Sequence, residues 1–165
     1  MPVADPINRH PGVPAPTTSR RAPAMRGSLV EGAIFVTALL LLVLAAMLVR
    51  VIPIRHLLAR LGTPLGPVAC SPLVTRRQIY RARLIRRAIS RAAALSPFRA
   101  DCLPQALVGA VLCRRLGVSC AVHLGVTAAP IAAHAWLCAG PVAITGGEGC
   151  NDFTPIACFL MIAQG

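Results

Sequence analysis

The run "GAIFVTALLLLVLAAMLV", Gly32 to Val49, is 18 residues without a charge, bounded by Glu31 and Arg50. A helix that is apolar on every side belongs in a core or in a membrane, so this run constrains the chain before anything else does. As a helix it spans roughly 27 Å at 1.5 Å per residue, just enough to cross a bilayer's hydrocarbon core. Arg20, Arg21 and Arg26 precede it and Arg50, Arg55 and Arg60 follow it, so the positive-inside rule assigns no orientation. A secretory signal needs a shorter apolar core and a small-residue cleavage site, and "AAMLVRVIP" is a poor one. The sequence leaves both a membrane-embedded or membrane-resting helix and a soluble core helix open.

At 165 residues the chain can build one domain with a real core, and not comfortably two. Residues 1–27 are rich in proline and small polar residues and are expected to form a disordered tail, with Met25 a candidate start. Residues 28–70 are expected to hold the apolar helix, a short basic helix in "IPIRHLLARLG" ending near Gly62, and a Pro/Gly linker. Residues 71–165 are expected to form the folded core. Within it, a helix over about 75–94 carries Ile79, Ala82, Ile85, Ile89 and Ala92 at steps of three and four, with seven arginines over the rest.

A third helix, about 102–116, has Pro104 in its first turn, Arg114 and Arg115 in its last and Gly117 just beyond, the expected start and stop signals. After it "VSCAVHLGV" alternates as a half-buried strand, with Val118, Cys120, Val122, Leu124 and Val126 on one face. "HAWLCA", "PVAIT" and "FTPIACF" read as three more strands between turn signals. Helices first and strands later predict an α+β fold, N-terminal helices followed by a small antiparallel sheet.

All 17 basic residues are arginine, against five acids, and the formal charge of +12 suits acidic or membrane-surface partners. Arginine density alone binds phosphate, but one Trp, one Tyr and four Phe supply no stacking platform and no recognition motif appears, so no nucleic-acid partner is expected. The seven cysteines include no CxxC pair and fall mostly in apolar segments. Neither a disulfide framework nor a zinc ribbon is indicated, no metal or cofactor is expected, and most of the thiols read as small hydrophobes.

Cys102 is the exception. At a helix N-terminus the open backbone N–H groups and the helix dipole favour a thiolate, and the same N–H groups can hold an oxyanion. A thiolate nucleophile needs an imidazole to accept and return a proton. His10 lies in the tail and His56 beside a basic helix, which leaves His123 and His134. His134 opens a strand with Trp136 two residues on and on the same side, where the indole could shield the pair. His123 falls on the strand face away from the apolar row and is expected to be partly exposed. Asp101 reads as the helix cap, and Gln105 as either a packing residue or a substrate contact.

Taken together, "RADCLPQALVGAVLCRRLGVSCAVHLGV", "AAHAWL" and "FTPIACF" resemble the transglutaminase-like cysteine peptidase that removes the leader in lasso peptide biosynthesis. The resemblance covers about residues 29–165 and includes "RVIPIRHLLARLG". It implies a transglutaminase-like (papain-like) fold, Cys102 as nucleophile, His134 as general base and acid, and a carboxylate orienting the imidazole from the strand after the histidine. There the sequence departs from the pattern, with Thr145 and Gly146 at that place; Glu148 is the first choice for the third member and Asp152 the alternative.

The activity so implied is cleavage of a ribosomally made precursor peptide between leader and core through a thioester. The implied partners are the precursor peptide, a lasso cyclase and a separate leader-recognition protein, since the 28 residues before the first helix are too few for a fused one. The location expected is cytoplasmic, at the inner membrane if the apolar helix engages it. Two rival readings stand beside this one: a membrane-anchored, non-catalytic assembly or accessory protein, and an acyltransferase that passes the acyl group to an amine.

Overall fold

The computed structural model describes residues 25–53, 56, 57, 60, 62–96 and 101–163. Helices α2 (Arg76–Leu95) and α3 (Cys102–Arg115) pack on one face of a five-stranded sheet made of β1 (Thr63–Gly66), β2 (Cys120–Ala128), β3 (Ile131–Ala139), β4 (Val142–Thr145) and β5 (Thr154–Met161), and α1 (Met25–Val51) packs on those two helices. The strand order is β1-β5-β2-β3-β4 and every pairing is antiparallel, the α+β architecture expected from the sequence. β1 was not legible: "TPLG" is four residues long with a proline and a glycine, and it pairs only with β5 at the sheet edge, where proline is tolerated.

Apolar on all sides in sequence, α1 is one-sided in burial. Ile34, Ala38, Leu42 and Ala45 recur at steps of four and three and join the core between α2 and α3. Val36, Leu40, Leu44 and Met47 on the other side are 52–66% exposed. The helix begins at Met25, so residues 25–27, placed in the tail on composition, are helical. The rest of the expected tail lies outside the described residues, as does most of the short basic helix, of which His56 and Leu57 are described as helical.

α2 starts in a capping box that the sequence displays as "TRRQ". Thr75 Oγ1 accepts from the Gln78 amide at 3.3 Å, while the Gln78 side chain accepts from the Thr75 amide at 3.0 Å. Its predicted stripe is buried at Ala82, Ile85, Ile89 and Ala92 and partly buried at Ile79, joined by Leu84 and Ala88. α3 ends in a glycine-centred stop: Gly117 has φ +63°, Val118 N–H reaches Cys113 O at 2.8 Å and Gly117 N–H reaches Arg114 O at 3.4 Å. Arg81 and Gln78 of α2 donate to the carbonyls of Leu116 and Gly117, at 2.6 and 3.2 Å, which clamps the two helices at this end. α3 is buried almost all round, and at Gly109 a Cβ would stand 2.5 Å from Leu137 Cδ2.

Alternation in the sheet sends Cys120, Val122, Ala135, Leu137 and Ala139 into the core with the helices. It sends His123, His134, Trp136, Cys138 and Cys158 to the opposite face, where His123 stands directly across from Trp136 and Cys158. The chain between β1 and α2 covers part of that face: Cys70 N–H donates to His123 Nε2 at 3.1 Å and Ser71 Oγ to Gly140 O at 2.7 Å. His123 is therefore 2% exposed, which corrects the expectation of a partly exposed ring. The strand's apolar row names its core face, but not whether an irregular segment closes over the other one.

Ile89 is fully buried between α2 and the sheet. Ile89→Ala is expected to destabilise the fold by about 2–5 kcal/mol. A fall in the urea midpoint at unchanged slope would report it.

Candidate active site

Cys102 is the first residue of α3, with Asp101 at the cap position in extended backbone (ψ 160°). The Asp101 side chain makes no capping hydrogen bond, contrary to its reading as the cap; the bond closing the first turn runs from Gln105 N–H to the Asp101 carbonyl at 3.4 Å. The thiol thus sits against first-turn amides, where a developing negative charge is favoured. It lines a cleft of about 510 Å³ at the β4 side of the sheet. Gln105 shares that wall, Arg86 and Ser90 of α2 form a second, and His134 with the chain from Ala143 to Glu148 form the rest.

β3 brings His134 to this cleft from a sequence distance of 32 residues. Its Nε2 lies 2.8 Å from the carbonyl of Gly146. A carbonyl can only accept, so the proton is on Nε2 and Nδ1 keeps its lone pair. The ring stacks on Trp136 at 6.0 Å between centroids, 18° from parallel, and meets Phe153 at 5.0 Å. Trp136, 8% exposed, does lie on the histidine's side of the strand, as alternation requires.

Gly146 has to be glycine. Its φ is +62°, and a Cβ there would lie 2.5 Å from Ala135 O and 2.9 Å from His134 Nε2. The family resemblance implied a carboxylate near Thr145 and Gly146, and there the chain presents a backbone carbonyl instead. Glu148 lines the same cleft and is exposed; Asp152, at the end of a short 3-10 turn (Cys150–Asp152), is exposed and outside the cleft lining. Thr145, beside Gly146, holds a buried hydroxyl without a hydrogen-bond partner.

Arg86 and Ser90 escaped the sequence reading, although their spacing of four puts them on one face of a helix whose period was plain. No sequence signal marks the Gly146 carbonyl, because any residue has one.

A second cysteine and histidine pair lies on the same sheet face as His134, on the far side of the Trp136 indole. Cys70 bonds to His123 through its backbone N–H and not its sulfur, the imidazole stacks on Trp136 at 5.1 Å, and burial holds its pKa below the ordinary histidine value. His123 itself is 2% exposed, while Cys70 is partly buried. Cys102 and His134 share an open cleft, with the sulfur at a helix N-terminus.

The fold is α+β, and its cleft brings together a thiol at a helix N-terminus and an imidazole of the sheet. The model of the transglutaminase-like superfamily matches residues 45–158, from the second half of α1 through most of β5, and the chain belongs to that superfamily. No curated protein and no solved structure matches it.

Burial separates the thiols in reactivity. The hydrogen bond to Cys120 and burial push the Cys113 thiol far up, and Cys158 is pushed up to about 12 by burial first and then by Cys70. Peptide mapping after brief iodoacetamide treatment at neutral pH is expected to find Cys102 labelled, and Cys113, Cys120 and Cys158 labelled only after denaturation.

Proposed function

We propose that this protein is a cysteine peptidase that cuts a ribosomally made lasso precursor between leader and core. The observation that carries the peptidase reading is the shared cleft: a thiol on the first residue of α3 and an imidazole held in one tautomer by the Gly146 carbonyl. The substrate class is supported by the resemblance of "CLPQAL", "HLGV" and "AHAW" to that peptidase, within a superfamily of matching fold.

In this reading His134 Nδ1 takes the Cys102 proton and the sulfur attacks the scissile carbonyl, whose oxyanion meets the open amides of the first turn of α3. His134 returns the proton to the departing amine, leaving a thioester, and a water deprotonated by the same imidazole releases the leader. The third role, orienting the imidazole, is filled by the Gly146 carbonyl, with Glu148 adding negative charge to the cleft and Asp152 the alternative acid. A neutral acceptor stabilises an imidazolium less than a carboxylate does, and a Cys/His pair with a weaker orienting group still catalyses. The precursor peptide, a separate leader-recognition protein and a lasso cyclase are the partners of this reading.

The exposed apolar side of α1 supports a location at a membrane surface. Ala38 and Leu42, 0% and 1% exposed, hold the helix to the domain, so we place it resting on the inner membrane and not crossing it. Arginine on α2 adds attraction to anionic lipid. Co-flotation with anionic vesicles is expected for the wild type, and loss of flotation with unchanged stability for Leu40→Glu/Leu44→Glu.

Intact-mass analysis of a candidate precursor, incubated with the protein and its leader-binding partner, tests the reaction. Cys102→Ala is expected to lower cleavage by about a thousandfold or more. Gly146→Ala, which pushes on the imidazole, is expected to cost about a hundredfold in turnover. Cleavage by Cys102→Ala at the wild-type rate would remove the sulfur as nucleophile and leave the membrane accessory reading; an amine-trapped product in place of a free carboxylate would indicate acyl transfer.

A further inference from the structure

Outside the cleft, the sheet face away from the helices gathers a second cluster. Cys70 from the chain after β1, His123 of β2 and Cys158 of β5 each offer a ligand atom, and these atoms all lie within 4.8 Å of one another. The two sulfurs are 2.9 Å apart. Cys138 of β3 adds a third thiol beside them, its sulfur 3.5 Å from the Cys70 carbonyl. His123 Nε2 accepts from Cys70 N–H, which requires the proton on Nδ1, and Nδ1 is buried with no partner. A packing role does not call for this collection: three polarizable sulfurs and an orphaned imidazole nitrogen meet from four separate segments, under a loop, in a protein whose other sheet face is ordinary aliphatic core.

We propose that Cys70, His123 and Cys158, with Cys138 as fourth ligand, form a structural site for a soft-leaning divalent cation, zinc by its chemistry. Zinc takes four thiolate or imidazole donors in a tetrahedron, at about 2.3 Å for sulfur and about 2.0–2.1 Å for nitrogen, so donor atoms sit roughly 3.5–4 Å apart. To reach that spacing the Cys70 and Cys158 sulfurs, 2.9 Å apart, must part by about 1 Å. Cys70 can make that move, since it lies in an irregular segment and is only partly buried, while His123 and Cys158 are fixed on paired strands.

Binding converts the thiols to thiolates and releases their protons to solvent, and the cation supplies the charge that otherwise makes buried thiolate costly. The bound ion would pin the β1-to-α2 segment onto the sheet and hold Trp136 from below through His123. Being closed, with no position for a substrate, the site is structural and shares no ligand with the Cys102 cleft.

The test uses the full chain, reduced, stripped with a chelator and titrated with Co²⁺ alone. One equivalent is expected to produce the thiolate-to-cobalt charge-transfer band and the visible bands of a tetrahedral site, displaced by Zn²⁺, and Zn²⁺ is expected to raise the Tm. Cys70→Ser, in the irregular segment, and Cys158→Ser are both expected to abolish the bands, His123→Gln to weaken Co²⁺ binding about tenfold or more, and Cys102→Ala to leave them intact. Circular dichroism of each variant separates loss of ligand from loss of fold. Absence of the bands in the folded wild type, their survival in Cys70→Ser, or conversion of Cys70 and Cys158 to a disulfide that proceeds equally fast with Zn²⁺ present would overturn the proposal.

Discussion

The arrangement of this protein depends on one helix being buried on nearly every side. α3 lies under α1 and α2 and on top of β2, β3 and β4, and Ala106, Gly109 and Ala110 are the small residues that let those layers close on it. Gly109 faces Leu137 and Ile89 so closely that a single added carbon meets both. Interiors packed at this density do not permit sliding, so the position of α3 along the sheet is set to a fraction of an ångström. The N-terminal end of that helix is Cys102, and its placement in the cleft that His134 also lines follows from packing further down the helix, not from contacts of the sulfur itself.

The sheet does two different things with its two faces. Toward the helices it offers Val122, Leu137, Ala139 and Ile144, an aliphatic surface that binds α2 and α3 by area alone. Toward the β1-to-α2 segment it offers imidazole, indole and sulfur, with Trp136 standing between the two histidines, stacked on both. The indole thus couples the orientation of the His134 ring in the cleft to that of the buried His123. Anything that steadies His123 from beneath steadies the plane on which the cleft's imidazole rests.

α1 shows how an apolar run is shared between two environments. Its core stripe is made largely of alanine and one or two larger residues, so the helix approaches α2 and α3 closely. Phe35, Leu39, Leu41 and Val49 are partly buried beside that stripe, while Val36, Leu40, Leu44 and Met47 remain outside. The ion pair between Glu31 and Arg87, at 3.2 Å with both side chains well exposed, adds little to this contact, and the helix is held by its apolar stripe.

Periodic burial was written into the chain. The 3.6-residue stripe of α2, the proline-to-glycine frame of α3 and the alternation of β2 were readable because each depends on which side of a single element meets the core. The α+β class, the helix-terminal position of Cys102 and the pairing of His134 with Trp136 on one strand face followed from them. What joined the elements was not readable. β1 is too short and too poor in apolar residues to carry a period, and the burial of His123 depends on a loop that lies over it. The backbone carbonyl of Gly146 has no residue type to announce it, and the sulfurs of Cys70 and Cys158 are 88 residues apart. Local pattern reports what one segment does to water; the company each side chain keeps is decided only when non-local segments pack, because that is when the second wall of every site arrives.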